Sequence, residues 1–399
     1  MRILQLCNKP PVPPNDGGSK AMYNLTRGLL DAGHSVKVLC LSTPKHPLLL
    51  DDVPVDFRER TGFEGVYVDT SINVVDAFTD LLTSDNYNVS RFFSPDLDIR
   101  LIRLLTEDAF DVVQLESLFM TPYIPNIRRY ANAPIVLRSH NLEHLLQERI
   151  ATGERNMLKR PYRHFLARQL KTYEMAMLDR VDGVAAISDA DAAHFREHGT
   201  RTPIVTIPFG VDLNDHRSEL PQGTPVFFHL GSMDWLPNEE GVRWMLEHVW
   251  PLVVRERPDA KLHLAGNRMP KDLLDSEFPS VTVQGRVKRA ERYMAGRHVM
   301  VVPLLSAGGM RVKIIEGMAM GRAIISTTMG AEGIDHTDGH DLLLGDTPKA
   351  FAARVLELLE RPERIAELGA NARDLVKRKY SNGPIVQDLV AFYTSLLKA

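Results

Sequence analysis

The sequence contains little cysteine: Cys7 and Cys40 are the only two in 399 residues. Both lie inside apolar runs, which favours buried free thiols over a disulfide or a metal site and is typical of a reducing cytosol. No apolar run reaches the roughly 18 residues that a membrane-spanning helix needs. The apolar start at residues 2–7 is too short for a signal peptide and predicts a strand. We therefore expect a cytoplasmic protein.

A large excess of charge is also lacking, because the formal net charge is −3 at pH 7. This balance gives no overall reason to expect nucleic acid as a partner. The apolar share of 44% and the charged share of 25% are ordinary for a soluble globular protein. No cluster of metal ligands is evident, so we expect neither a metal site nor a cofactor. The length favours two domains of roughly 200 residues each.

The most informative stretch is residues 299–334, which alternates between strand and helix patterns. An apolar run at 299–302 predicts a buried strand, and the small residues that follow it let a ligand approach the backbone closely. The pattern then predicts a helix over 310–320 and a second strand over 323–326. In such a βαβ unit, free amide groups and the helix dipole favour an anion such as phosphate beside the glycine turn.

Three residues of this stretch predict a nucleotide site. Gly309, Lys313 and Glu316 are spaced by four and three, which predicts that they share one helix face. The lysine suits a phosphate, and the glutamate suits the paired hydroxyls of a ribose. The alternative is structural: a Gly-Gly pair before a helix is common in α/β proteins, and the two charged residues could form a surface ion pair.

The start of the chain repeats the same order. Residues 2–7 predict a strand, 19–32 a helix and 36–41 a second strand. Gly17 and Gly18 fall between the first strand and its helix, where they predict either a second ligand-binding turn or a plain tight turn.

Two further predicted strands, at 111–115 and 135–137, end in polar residues. Ligands of an open parallel sheet gather at the carboxyl ends of its strands. Glu116 and His140 both fall at such ends, which makes the histidine a candidate for catalysis or binding. A lone histidine in a loop is, however, more often structural.

Residues 149–178 predict one long helical region with a basic side and an apolar side. Such a surface could meet an anionic membrane or a charged acceptor. A solvated helix face is the simpler interpretation, and we give it the greater weight. The basic residues are Arg149, Arg155, Lys159, Arg160, Arg163, Arg168 and Lys171.

A polar segment at 213–225 holds two prolines and a glycine and is the best linker in the chain. Strands alternate with helices on both sides of it, which predicts two doubly wound α/β domains. We expect an N-terminal Rossmann-like domain at 1–212 and a C-terminal one at 226–380. A final helix within 381–399 would cross back to the first domain.

These features resemble the GT-B fold of glycosyltransferase family 4, the group 1 retaining enzymes, over nearly the whole chain. Their order and spacing carry the resemblance. The matching segments are the proline, small loop, helix and strand of 299–334 with its ending Gly330-Ala331-Glu332-Gly333, the P-x-G-V-D segment Pro208-Phe209-Gly210-Val211-Asp212, the V-x-A-x-S strand at 184–188, the pair Gly17-Gly18, and His140.

The resemblance implies two Rossmann-like domains facing across a cleft, with the acceptor on the first and the donor on the second. It implies retaining, metal-independent transfer of a sugar from a nucleotide diphosphate sugar to a hydroxyl of a glycan or lipid-linked acceptor. Exopolysaccharide or surface-sugar biosynthesis is the associated process, and peripheral contact with the inner face of the membrane is a further expectation.

The resemblance also gives roles to residues of this chain. We expect His140 to orient the transferred sugar and Glu316 to hold the ribose. The catalytic candidates are His140, Arg311 and Lys313. The donor-binding candidates are Gly17, Gly18, Gly231, Arg286, Val287, Gly308, Gly309, Met310 and Glu316. The acceptor-binding candidates are Asp16, Glu116 and Asn141.

The chain departs from the family pattern in two places. The family carries two glutamates eight positions apart, but Gly308 stands eight positions before Glu316. The usual arginine and lysine after the first strand of the second domain are also missing. We expect Arg311 and Lys313 to supply the positive charge instead. Two alternatives remain open: a nucleotide-sugar 2-epimerase and a non-catalytic sugar-nucleotide-binding protein.

Overall fold

The computed structural model describes residues 1–70, 87–154, 156–216, 218–306 and 309–398. The chain divides into two compact units, and each is built on one parallel sheet. The first unit comprises Met1–Gly210, Gly308–Met310 and Asn382–Ala399; the second comprises Val211–Ala307 and Arg311–Ser381. The division thus falls just before the segment predicted as a linker. Within the described residues, no helix is both long enough and apolar enough to cross a membrane.

Within the described residues, the sheet of the first unit has seven parallel strands in the order β3-β2-β1-β4-β5-β6-β7. The strands are β1 Arg2–Cys7, β2 Ser35–Ser42, β3 Glu64–Tyr67, β4 Val112–Glu116, β5 Ile135–Ser139, β6 Gly183–Ala186 and β7 Ile204–Thr206. The helices up to the unit boundary are α1 Gly17–Asp31, α2 Val55–Thr61, α3 Tyr87–Ser90, α4 Pro95–Glu107, α5 Ile124–Tyr130, α6 Glu143–Thr152, α7 Arg160–Leu178 and α8 Asp189–Glu197, with short 3-10 turns at Leu50–Asp52 and Leu118–Tyr123.

Both faces of this sheet are covered, which explains why its strands read as nearly continuous apolar runs. In β1, Leu4 and Leu6 point into one core, while Ile3 and Cys7 point into the other. The second core also receives side chains from α1 and from the C-terminal helix. Cys7 and Cys40 are buried and free, as predicted.

In the described part of the second unit, the sheet has six parallel strands in the order β10-β9-β8-β11-β12-β13. The strands are β8 Val226–Leu230, β9 Lys261–Ala265, β10 Val281–Gly285, β11 Val299–Val302, β12 Ala323–Ser326 and β13 Leu343–Leu344. The remaining helices are α9 Leu236–Trp244, α10 Trp250–Glu256, α11 Lys271–Leu274, α12 Ala290–Ala295, α13 Val312–Ala319, α14 Thr328–Ala331, α15 Pro348–Glu360, α16 Glu363–Lys379 and α17 Asn382–Leu396, with a 3-10 turn at Leu213–Asp215 and a π-helical segment at Met245–Val249.

The C-terminal helix α17 belongs to the first unit, where it packs against α1. The side-chain amide of Asn382 donates a hydrogen bond of 2.8 Å to the carbonyl oxygen of Asn24. Further along α17, Leu389 and Tyr393 are fully buried in the second core of the first unit. The last helix therefore completes a unit that begins with the first residue of the chain.

The structure corrects the predicted start of two helices. The helix predicted over 310–320 begins only at Val312, because Gly309 has a φ of 71° and Arg311 is not helical. Gly309 therefore does not share a helix face with Lys313. The first helix begins at Gly17 rather than residue 19, since the Asp16 side chain caps it by accepting from the Ser19 amide at 3.0 Å.

The long helical region predicted over 149–178 was also wrong in part, because the chain turns between α6 and α7. Helix α6 ends at Thr152, and α7 restarts at Arg160 with Pro161 in its first turn, a position that proline favours.

Gly266 lies where two backbone segments of the second unit pack closely, so substituting this residue tests the fold. The residue follows β9, and a Cβ atom there would overlap the carbonyl oxygen of Gly231, which follows β8. We expect Gly266→Ala to lower the free energy of unfolding by about 1–3 kcal/mol or more, because the backbone itself must shift. Urea denaturation followed by circular dichroism measures this.

The matched control is Gly383→Ala in α17, where a Cβ atom would meet no atom within 4 Å. That change should leave stability unchanged or raise it slightly, since alanine favours helix. Equal unfolding free energies for Gly266→Ala and the wild type would contradict the close contact.

Candidate active site

In the first unit, the strand order reverses between β1 and β4, because β2 and β3 lie on one side of β1 and the later strands on the other. Ligands of such sheets bind at this switch point, beyond the carboxyl ends of the strands. Glu116 is the last residue of β4. His140 directly follows β5, which pairs with β4 on the side away from β1. The structure thus places Glu116 at the switch point and His140 one strand away from it.

Glu116 holds His140 in place. His140 Nε2 lies 2.6 Å from Glu116 Oε2, and the Gln5 side chain donates to Glu116 Oε1 at 2.6 Å. Arg138, a buried residue of β5, donates to the same carboxylate at 3.3 Å. Burial raises the pKa of Glu116, but Arg138, His140 and Gln5 together lower it to about 2. The carboxylate is therefore ionised at neutral pH.

This arrangement fixes the protonation of His140. Burial lowers its pKa, although the neighbouring Glu116 acts in the opposite direction. A neutral imidazole beside an ionised carboxylate donates from Nε2, which leaves Nδ1 as a hydrogen-bond acceptor. His140 can therefore accept a hydrogen bond from a hydroxyl. Glu116 itself is fully buried, which argues against the predicted direct contact with an acceptor and favours a positioning role.

Asp16 and the two glycines after it form the first turn of α1. Asp16 Oδ1 accepts from Lys9 Nζ at 2.6 Å, in addition to capping the helix. Burial raises the pKa of Asp16, but Lys9 and the Ser19 amide bring it below the usual value. A Cβ atom on Gly18 would come within 3.0 Å of Lys9 Nζ, so glycine leaves room for this ion pair.

Glu143 is a titratable residue of this region that the sequence did not single out. It is the first residue of α6 and is 8% exposed, and the Asn141 side chain donates to its carboxylate at 3.2 Å. Burial and the nearby Glu174 raise the pKa of Glu143 to about 7. Its signal in the sequence is a carboxylate three positions after His140, but only burial reveals its unusual protonation.

The start of α6 is itself held by α7. Glu174, buried in α7, accepts from the backbone amides of Glu143 and His144 at 3.1 and 3.0 Å. The same carboxylate lies 2.6 Å from His144 Nδ1. A carboxylate at a helix N-terminus satisfies free amides and suits the helix dipole. These contacts set where Glu143 and Asn141 lie relative to the strand ends.

The second unit has its own switch point, between β8 and β11. Lys313, near the start of α13, donates to Asn238 Oδ1 at 2.8 Å, and Asn238 in turn donates to the Ser232 carbonyl oxygen at 2.9 Å. Gly231 and Ser232 directly follow β8. Burial, with a smaller effect of the nearby Arg311, lowers the pKa of Lys313 to about 7. The amine of Lys313 therefore titrates near neutral pH.

His229 lies beneath this group in β8, and the sequence did not single it out. Its Nδ1 is 3.0 Å from the carbonyl oxygen of Val301, to which it must donate. Burial and the neighbouring Lys313 hold the pKa of His229 well below its usual range. The imidazole is therefore neutral, with Nε2 2.9 Å from the place where a Cβ on Gly231 would lie.

Arg311 and Glu316 lie on either side of Lys313 in the chain. Arg311 is buried, with its guanidinium 3.9 Å from the carboxylate of Glu332 and 5.5 Å from the centre of the Trp235 ring. Glu316 is buried on α13. The second unit therefore brings together Gly231, Arg311 and Lys313, with Glu316 on the same helix as the lysine.

The other predicted donor residues are placed less tightly. Arg286 and Val287 follow β10, two strands away from β8. Met310 is half-buried beside Gly309, and Gly308 lies outside the described residues. Among the described residues, no three histidine, cysteine or acidic side chains are grouped to hold a metal ion. Metal independence stays a prediction.

Family models match most of the chain. A model described as glycosyltransferase family 4 matches residues 15–215, and one described as glycosyl transferases group 1 matches residues 224–361. The chain belongs to glycosyltransferase family 4. The predicted GT-B fold, with two Rossmann-like α/β domains, and the predicted transferase activity of the protein are thereby confirmed.

Individual relatives of this family 4 glycosyltransferase are distant. An uncharacterized 44.6 kDa protein in the cps region of Klebsiella pneumoniae is 21% identical, over 97% of this chain and 98% of the relative. Sucrose-phosphate synthase from Thermosynechococcus elongatus superposes with a TM-score of 0.74 at 16% identity, covering 100% of both chains. Anabaena HepE in complex with UDP and glucose gives 0.65 at 13% identity, covering 98% of this chain and 99% of HepE.

The raised pKa of Glu143 predicts a stability that falls as the pH rises. Its folded-state value of about 7 lies above the ordinary value of 4.5, so folding favours the protonated form, and stability is lost between these two pH values. Glu143→Gln mimics the protonated form. We expect its advantage in unfolding free energy over the wild type to grow by about 2–3 kcal/mol between pH 5 and pH 8.

Urea denaturation at the two pH values measures this difference. Glu148→Gln, at an exposed position of the same helix, is the matched control and should show no such growth. A pH-independent difference for Glu143→Gln would show that Glu143 ionises normally.

Proposed function

We propose that the protein transfers a sugar from a nucleoside diphosphate sugar to a hydroxyl of a glycan or lipid-linked acceptor, with retention of configuration and without a metal. The observation that carries this proposal is the group of Arg311 and Lys313 at the switch point of the second unit. The second unit would bind the donor, and the first would bind the acceptor.

The charge of this group suits a diphosphate. Lys313 lies in the first turn of α13, where free amides and the helix dipole also favour an anion. A bound diphosphate would restore the full charge of Lys313, whose pKa is lowered to about 7 without it. The same contacts would strengthen as charge develops on the leaving diphosphate, which is how such a site accelerates transfer.

The remaining donor contacts follow from the same placement. Glu316, one turn further along α13, would accept hydrogen bonds from the ribose hydroxyls. Backbone groups of Arg286 and Val287 would hold the base, and Gly309 and Met310 would lie beside the phosphates. Arg311 and Lys313 would together replace the charge that other family members place after the first strand of this unit.

His140 would orient the sugar during transfer. Its imidazole accepts a hydrogen bond at Nδ1, because Glu116 holds the proton on Nε2. Asn141 and Asp16 would contact the acceptor, and Glu143 could exchange a proton with it near neutral pH. The first unit would thus supply one neutral hydrogen-bond acceptor, Nδ1 of His140, and one carboxyl group, that of Glu143, which titrates near neutral pH.

The descriptions of two similar proteins indicate the process to which the reaction would belong. The Klebsiella pneumoniae relative lies in a cps region, and HepE is described in complex with UDP and glucose. We therefore propose a role in polysaccharide or surface-sugar assembly, in the cytoplasm and on the inner face of the membrane.

The proposal predicts acceptor-dependent turnover. The protein is incubated with a panel of nucleotide sugars, with and without a glycan or lipid-linked acceptor extract, and released nucleoside diphosphate is measured. We expect release only with both substrates. Epimerisation at C2 without acceptor would show a nucleotide-sugar 2-epimerase, and binding without turnover would show a non-catalytic protein.

The lowered pKa of Lys313 predicts proton uptake on donor binding. At pH 8 the free lysine is mostly neutral, because its pKa of about 7 lies below the solution pH, whereas a bound diphosphate requires the charged form. We expect close to one proton taken up with each UDP, GDP or ADP that binds. Calorimetry in buffers of different ionisation enthalpy measures this number.

Lys313→Gln should abolish the uptake, and Arg311→Ala with Lys313→Ala should weaken nucleotide binding by about hundredfold or more, since each removes a charge-assisted hydrogen bond. Lys377→Gln, an exposed lysine of α16, is the control. Unchanged affinity in the double variant would refute the assignment of these residues.

A further inference from the structure

The turn between α6 and α7 exposes apolar side chains. Met157 and Leu158 are 84% and 91% exposed, the two highest values for large hydrophobic residues in the described part of the chain. Tyr162 and Phe165, in the first turns of α7, are 47% and 45% exposed. Burial of large side chains on α7 begins only at Leu170. Exposed apolar groups in such a cluster mark an interaction surface.

Local hydrogen bonds hold this turn in shape. The side-chain oxygen of Asn156 accepts a hydrogen bond from the Leu158 amide at 3.0 Å. The backbone carbonyl oxygen of Asn156 accepts from the Lys159 and Arg160 amides. The Glu154 side chain accepts from the Asn156 amide at 2.9 Å. Met157 and Leu158 are therefore presented outward by a turn with defined geometry.

The same surface is strongly basic. We define residues 156–171 as the tip; they contain five lysines and arginines and no aspartate or glutamate. All five are exposed, and the whole chain, by contrast, has a net charge of −3. The basic residues are Lys159, Arg160, Arg163, Arg168 and Lys171. Arg163 pairs with Glu154 at 2.9 Å, which leaves the local balance positive.

We infer that the tip docks on an anionic phospholipid bilayer, with Met157 and Leu158 inserted and the basic residues at the headgroups. Stable peripheral binding takes two signals, and the tip supplies both an apolar anchor and a polybasic surface. Basic residues alone would equally suit an acidic polypeptide or RNA, but two highly exposed apolar side chains directly before the basic residues favour a bilayer.

Bilayer contact at the tip would help the protein reach a lipid-linked acceptor, an argument that rests on the proposed function. Helix α6 joins the tip to Glu143, three residues after His140. Its ten residues span about 15 Å, at 1.5 Å per residue. A bilayer at the tip would therefore bring the head of a lipid-linked acceptor close to the strand ends of the first unit.

Sedimentation with vesicles tests the inference on the full chain without any sugar donor. We expect binding to vesicles of phosphatidylcholine mixed with phosphatidylglycerol, little binding to phosphatidylcholine alone, and loss of binding at high salt. Met157→Ser with Leu158→Ser should weaken binding about tenfold or more. Lys159→Gln with Arg160→Gln should weaken it about fivefold for each charge removed.

Matched controls come from other surfaces. Leu49 and Leu50 are 53% and 52% exposed but lie beside Asp51 and Asp52, so Leu49→Ser with Leu50→Ser should leave binding unchanged. Lys377→Gln with Arg378→Gln removes two exposed charges from α16 and should also have no effect. Equal losses in the tip variants and these controls would overturn the inference.

A direct readout of insertion uses an environment-sensitive dye. Met157→Cys and Leu50→Cys are labelled in turn, since both native cysteines are buried. Only the dye at position 157 should shift to shorter emission wavelengths on mixed vesicles. The inference is overturned if neither dye shifts, or if polyglutamate or RNA binds the wild type while the bilayer does not.

The two proposals fail separately. Vesicle binding is measured without donor or acceptor, so its absence would leave glycosyl transfer untouched. Transfer to a water-soluble acceptor is measured without vesicles, and the Met157→Ser, Leu158→Ser variant should retain it at the wild-type rate.

Discussion

A single buried carboxylate organises the strand ends of the first unit. Glu116 on β4 binds Gln5 from β1 on one side, and Arg138 and His140 from β5 and its loop on the other. Removing one partner of a buried charge leaves the other uncompensated, which is among the most destabilising changes in a protein interior. The position and protonation of His140 therefore depend on a residue that is itself fully buried.

Two buried glutamates of the first unit have opposite protonation behaviour. Arginine and imidazole partners keep the pKa of Glu116 at about 2 in spite of burial, whereas burial and a second carboxylate bring that of Glu143 to about 7. Pairs of groups whose environments separate their pKa values are typical of acid–base sites.

The sequence predicted the fold well because buried parallel strands leave a clear signal. Apolar runs such as 299–302 and 323–326 matched β11 and β12 to the residue. The ends of helices were harder to predict, since they depend on single backbone angles. The positive φ of Gly309 makes α13 begin later than predicted, and the turn at Asn156 separates α6 from α7. Periodicity does not report either event.

The candidate site was predicted in part. His140 was located from its place after a predicted strand, and Lys313 from its charge and its place near the start of a predicted helix. Glu143 and His229 could not be found, since their importance comes from burial and from neighbours distant in the chain. The burial of Glu116 could not be read from the sequence either. Glu116 was predicted to contact the acceptor, but it is fully buried and holds His140 in position.

The docking of α17 has a consequence for the order in which the protein is made. The hydroxyl of Tyr393, fully buried, donates to Gln114 in β4, and Leu389 lies in the same core as Ile3. During synthesis, the ribosome releases the first 210 residues and then the entire second unit before this helix emerges. The core of the first unit therefore keeps an uncovered apolar surface until α17 has been synthesised, so this unit folds completely only after the second unit has been made.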